Sequence, residues 1–209
     1  TNGANTDFFE PMSRDLVYMS ELNLKGKFVI AYIGTHGLSH GLDHIVKAAS
    51  RIKASDIHFL FAGDGATKDE VVQLAHKLDT TNCTFISPVG KDRIRELMSI
   101  IDVSLVPLRN RPTFRTVIPS KIFEAAAMHK PVLLGVKGEA EELINKYGAG
   151  LCFKPEDEND LIEKIGQISK NKKLYRELQQ GCRRLIADYN RHELALEMLH
   201  HVKEVVNEK

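Results

Sequence analysis

The chain has 209 residues, 43% of them apolar, which suffices for one or two domains with a full core. Its 29 basic and 28 acidic residues nearly cancel, which argues against general nucleic-acid binding, where a basic excess is needed. No apolar run approaches the length of a membrane-spanning helix, and the polar start TNGANTDFFEPMSRD lacks the pattern of a signal peptide.

Residues 1–26 read as a linker or edge piece. From Phe28 onward, strand-like and helix-like segments alternate. KFVIAYIG is a strand. LDHIVKAASRIK places Leu42, Ile45, Val46, Ala49 and Ile52 on one helical stripe. IHFLFAGDG is a strand ending in a glycine turn, KDEVVQLAHKL a helix, NCTFISPVG a strand and KDRIRELMSII a helix. VSLVP is a buried strand ended by proline. PSKIFEAAAM opens a helix with Pro119 in its first-turn region, where the missing N–H costs little. PVLLG is a strand, GEAEELINKYGAG a helix closed by glycine, and GLCF a short strand. DENDLIEKIGQISK has acids in its first turn and Lys170 at its end, matching the helix dipole. From Lys172 the chain reads as helical, with one break near Tyr189–Arg191. Six strands joined by crossover helices predict a doubly wound, Rossmann-like, all-parallel α/β sheet, with ligands bound outside the carboxyl ends of the strands.

The cysteines Cys83, Cys152 and Cys182 lie far apart without zinc-ligand spacing, so free thiols in a reducing, cytosolic compartment are expected. No HExxH pattern occurs among the nine histidines, and no metal site is expected. His200 and His201 read as a solvated helix face.

Three strand ends carry glycine or proline loops. In GTHGLSHG, Gly34 to Gly41, glycines let backbone approach an anion at a helix N-terminus. The spacing is neither a dinucleotide fingerprint nor a P-loop. His36 and His40 are within reach of such an anion, or are simply exposed. Gly63-Asp64-Gly65 is a turn signal first. Pro88 and Val89 present backbone groups to a flat base, or form an ordinary proline loop. A fourth loop is the most informative. Between VSLVP and the next helix lie Arg109, Arg111, Arg115 and Lys121, with Glu124 one turn on. Cations near a helix N-terminus suit a diphosphate, and a carboxylate beyond them suits a ribose diol. The alternative is a solvated loop with an acid that complements the helix dipole. There is no nucleophile–base motif, which fits a reaction driven by leaving-group stabilisation or a chain with part of an active site.

Together these segments resemble the C-terminal, donor-nucleotide-binding domain of GT-B glycosyltransferases of family 4, the glycosyl transferases group 1. TNGANTDFFEP is similar to that family's inter-domain linker and AYIGTHGLSHGLDHIVKAA to its glycine loop and first helix. FLFAGDG, FISPVG and IIDVSLVPL follow in the family's order. IPSKIFEAAAMHKPVLLG resembles the segment with the second Glu of its E-x7-E motif, and GAGLCFKPEDENDLIEKI its usual ending.

The resemblance implies that Glu124 binds the ribose hydroxyls, that Ile118, Pro119, Ser120 and Lys121 lie beside the diphosphate, that Gly34 approaches the phosphates, and that Pro88 and Val89 flank the base. The first motif Glu falls on Thr116, and the glycine-loop Arg and Lys fall on Thr35 and His40, with Arg109, Arg111 and Arg115 as nearby cations that compensate. It further implies residues 27–190 as the nucleotide-sugar domain and a terminal helix, 191–209, packing toward an N-terminal domain outside this sequence. That domain would bring the acceptor glycan or lipid-linked sugar and any peripheral membrane contact. The implied activity is retaining transfer from a UDP-linked donor in surface-polysaccharide synthesis, without a metal. A sugar-nucleotide 2-epimerase half and a non-catalytic nucleotide-sensing domain remain alternatives.

Overall fold

The computed structural model describes residues 2–207. Six strands form one parallel sheet: β1 Phe28–Ile33, β2 Ile57–Ala62, β3 Cys83–Ile86, β4 Val103–Pro107, β5 Val132–Gly135 and β6 Gly150–Cys152. Their spatial order is β3-β2-β1-β4-β5-β6, the expected doubly wound topology. β1 pairs along its whole length with β2, from Phe28 opposite Ile57 to Ile33 opposite Ala62. On its other side it meets β4 through Ile30 and Ala31. The chain reverses direction between β1 and β4, so the loops leaving these two strands diverge and open a crevice between them.

The strands are apolar runs because both faces are covered. On one face α2 (Leu42–Arg51), α3 (Lys68–Lys77) and α7 (Glu158–Lys170) bury Ile45, Val46, Val71, Leu161 and Ile165 against Ile30, Phe59 and Leu133. On the other, α5 (Lys121–Ala127), α6 (Glu139–Tyr147) and α8 (Lys172–Asp188) bury Ile122, Phe123, Ile144 and Leu185 against Val106, Val132 and Leu134. The alanines Ala125, Ala126 and Ala127 are all buried, and this small-residue stripe lets α5 lie close to the sheet.

The amino-terminal stretch is more structured than a linker. Asp15 caps α1 (Leu16–Glu21) by accepting from the Tyr18 N–H at 2.9 Å. Tyr18, Met19 and Leu24 are buried against Leu97 and Ile100 of α4 (Ile94–Ile100). Two turns of signal were too short to stand out as a helical period. α5 begins at Lys121, so Pro119 lies just outside the helix rather than in its first turn. A 3-10 turn at Pro112–Phe114 interrupts the loop before it.

The expected break separates α8 from α9 (Arg191–Asn207). It is pinned by the start of the chain. The Ala4 N–H donates to Tyr189 O at 3.2 Å, Arg191 N–H to Ala4 O at 2.9 Å, and Asn190 Nδ2 to Thr6 Oγ1 at 2.8 Å. Beyond the break, α9 exposes Leu196, Met198, Leu199, Val202 and Val205. None of the described helices is long and apolar enough to cross a membrane.

Candidate functional site

The loop after β1 is held backbone against backbone on the loop after β2. Gly34 N–H donates to Ala62 O and His36 N–H to Asp64 O, each at 2.8 Å. The His36 carbonyl accepts from Thr67 N–H at 2.9 Å and Thr67 Oγ1 at 2.8 Å. A Cβ on Gly63 would lie 1.9 Å from Gly34 O, and one on Gly65 would lie 2.6 Å from His36 O. The Gly63-Asp64-Gly65 turn is therefore the bed on which the glycine loop lies. A 3-10 turn at Leu38–His40 then leads through Gly41 into α2.

The loop after β4 is stitched to that turn. Arg109 N–H donates to Ser39 O at 2.8 Å and Arg109 Nε to Leu38 O at 2.9 Å. The guanidinium also pairs with Asp43 at 2.8 Å and Glu156 at 2.9 Å, and its second acceptor fixes the Asn110 N–H at 3.0 Å. Arg109 is thus a strut between three loops. Two carboxylates neutralise its charge within the fold. Sequence could not reveal this, since its partners lie 66 and 47 residues away.

Arg111, Arg115 and Thr116 are exposed along the loop's crest. The Arg115 carbonyl accepts from the Glu139 N–H at 2.9 Å, and a Cβ on Gly138 would lie 2.2 Å from that oxygen. The crest is thereby tied to the start of α6. Ile118, Pro119 and Ser120 are half-buried, with Ile118 against the α5 face of the core. Pro88 is exposed just after β3, while Val89 is half-buried against the cluster that contains Leu97 and Ile100.

The two loops meet at Lys121 and Gly34. The ammonium of Lys121 lies 4.1 Å from the centre of the Tyr32 ring, and a Cβ on Gly34 would be 2.6 Å from Lys121 Nζ. Gly34 has φ +137°, a conformation that side chains resist. Glycine therefore serves both backbone geometry and the approach of the cation. Burial brings the Lys121 ammonium down to about 8, with Glu124 opposing the shift. Glu124 lies one turn along α5 in the same half-buried zone. Burial raises its carboxyl, and Lys121, the Ser120 side chain and Arg191 pull it back.

Two histidines complete the floor. His40 is half-buried, and burial lowers its pKa while the Gly37 backbone opposes the shift. Thr35 is exposed. His36, expected at the surface or beside an anion, is 0% exposed and held near pKa 4 by burial, with neither ring nitrogen hydrogen-bonded. Sequence reasoning missed Tyr32, which reads as one more apolar strand residue. The available signal was a hydroxyl-bearing residue at the carboxyl end of the central strand.

Residues 18–184 match the model of the family described as glycosyl transferases group 1. "Probable glycosyltransferase WbjE" of Pseudomonas aeruginosa is 29% identical over 167 residues, covering 78% of this chain and 41% of that protein. WcaI of Escherichia coli, a candidate colanic acid biosynthesis glycosyl transferase by description, is 26% identical over 68% of this chain and 35% of its own length. The chain thus spans less than half the length of these relatives. Among solved structures, sucrose-phosphate synthase of Thermosynechococcus elongatus superposes with TM-score 0.83 at 21% identity, over 100% of this chain and 52% of that one. Anabaena HepE, in complex with UDP and glucose, superposes with TM-score 0.82 at 16% identity, over 99% of this chain and 56% of that one. The structures share the fold, and the family match over residues 18–184, most of the chain, places this chain in the glycosyl transferases group 1 family.

Proposed function

We propose that this domain binds the nucleotide-sugar donor of a retaining glycosyltransferase that builds a surface polysaccharide. The carrying observation is the half-buried Lys121 ammonium, which has no carboxylate partner in hydrogen-bonding range among the described residues and lies against the Gly34 turn. A cation taken out of water without a counter-charge favours binding an anion. Glu124, one helical turn away, offers two carboxylate oxygens to a ribose diol. The two groups are arranged for a nucleoside diphosphate, and the HepE structure, a complex with UDP and glucose, supports a uridine donor.

In this reading the Lys121 ammonium stabilises the departing diphosphate, an electrostatic form of catalysis. No metal is required by it. The acceptor, a glycan or a lipid-linked sugar, comes from outside this chain, on a domain that the apolar face of α9 meets. That domain would also carry any contact with a membrane, the protein being cytoplasmic and peripheral. The isolated chain then binds nucleotide but transfers nothing, because near-attack geometry needs both halves of the cleft.

Calorimetric titration with UDP, GDP, ADP, CDP and uridine tests the reading. The expected result is binding of UDP that is tighter than that of uridine. Absence of binding by every diphosphate contradicts it. Thr116, Thr35 and His40, where the family carries an acid and two cations, favour a non-catalytic sensing domain as the second reading. Sugar transfer to a lipid-linked acceptor by the full-length protein rules that reading out.

A further inference from the structure

The Lys121 ammonium has a seat, and the seat is aromatic. It lies 4.1 Å above the Tyr32 ring, inside the range where a ring's quadrupole attracts a cation. The ring itself is immobile. Tyr32 is 1% exposed, in the strand shared by both halves of the sheet, and its hydroxyl donates to the Thr35 carbonyl. The His36 and His40 rings tilt against it, with centroids 5.6 and 5.5 Å from its own. Both imidazoles are held neutral by burial, so neither adds a cation that would push Lys121 out of place. The ammonium also lies against the Gly34 turn, where no Cβ intervenes.

We infer that Tyr32 is a positioning residue, which seats Lys121 against Gly34 so that the cation of the diphosphate site comes from α5 and not from the glycine loop. This accounts for the threonine and histidine at the glycine-loop positions. A cation at position 40, whose ring already feels the Lys121 charge, would repel that ammonium. An isolated lysine side chain has rotamer entropy to lose when a ligand fixes it. The ring holds it beforehand, so less is lost on binding. The inference rests on the proposed diphosphate site.

The test combines a spectroscopic readout with a variant series on the same 209-residue chain. In the wild type, the ring current of Tyr32 should move the Lys121 ε-methylene protons upfield of those of the exposed lysines, and UDP but not uridine should perturb them. Lys121 signals at the position of exposed lysines overturn the inference without any variant having to fold. In the series, Lys121→Ala should collapse the preference for UDP over uridine. Tyr32→Leu should lower that preference about two- to thirty-fold, the range of a cation–π contact. Tyr32→Phe, which keeps the ring, should hold it near the wild-type value. If Tyr32→Phe loses as much as Tyr32→Leu, the hydroxyl and not the ring is responsible, and the inference fails. If Lys121→Ala loses the preference and a folded Tyr32→Leu keeps it, the inference alone fails. If Lys121→Ala itself keeps the preference, the diphosphate site is misplaced and the functional proposal falls with it.

Discussion

Arg109 and Lys121 stand on the two sides of one loop, yet their surroundings are opposite. Arg109 meets Asp43, Glu156 and a backbone carbonyl, and its charge is spent holding three loops together. Lys121 meets an aromatic face and a glycine turn, with its nearest acid, Glu124, a helical turn away. The first arrangement stabilises a fold and leaves nothing for a ligand. The second keeps a charge in a poorly hydrated place with its attraction unsatisfied, which is what a phosphate site requires. Number of cations is therefore a poor guide to such a site. Their existing partners decide.

The comparison is sharpened most by removing each cation in turn. Lys121→Ala should cost about 1.5–3 kcal/mol of UDP affinity, the usual worth of a hydrogen bond to a charged group, and leave uridine affinity nearly unchanged. Isothermal titration of the two ligands reads this directly. Glu124→Ala should cost a similar or slightly smaller amount and should act through the ribose. The wild type should bind 2′,3′-dideoxy-UDP poorly, and the variant should barely distinguish it from UDP. Full discrimination by the variant would make Glu124 an ordinary helix-end acid, worth about 0.3–1 kcal/mol of stability.

Arg109→Ala should do the reverse of Lys121→Ala. Thermal unfolding should show a loss of about 1 kcal/mol, the scale of a partly exposed ion-pair network, with a smaller effect on UDP than on stability. A large, UDP-specific loss at unchanged stability would return Arg109 to the ligand site. Arg115→Ala should give the smallest effect. The side chain is exposed, so solvent and salt screen its charge, and a modest loss for UDP over uridine, which shrinks with added salt, is expected in titrations at two ionic strengths.

Most of the fold was legible because the pattern is local. The strands are continuous apolar runs, the helices have clear stripes, and the alternation forces a parallel sheet. Glu124 and Lys121 were legible as well, since motif spacing alone puts them at the start of the helix after β4. Three things were not. The Asp43 and Glu156 carboxylates reach Arg109 only through the tertiary fold. His36 has loop neighbours in sequence, yet the bed made by Gly63 and Gly65 carries it into the interior. Tyr32 had the pattern of a core strand residue, and only its distance to Lys121 distinguishes it from one.

If the buried Lys121 ammonium meets the diphosphate, UDP affinity must depend on pH in a way that uridine affinity does not. Burial holds the free Lys121 at about 8, and a bound diphosphate must raise that value, because it favours the charged form. The groups around it do not titrate in the same window. Tyr32 is pushed up by burial, while His36 and His40 are pushed down, and burial raises the Glu124 carboxyl from the acid end against the pull of Lys121. The phosphate groups of UDP are already ionised there, their last pKa lying near about 6. UDP affinity should hold level from about pH 7 to about pH 8 and then fall, approaching tenfold per unit, because each binding event must take up a proton. Uridine, titrated in parallel, should show no such fall, and neither should UDP with the Lys121→Ala variant. A UDP affinity that tracks uridine across this range would contradict the account.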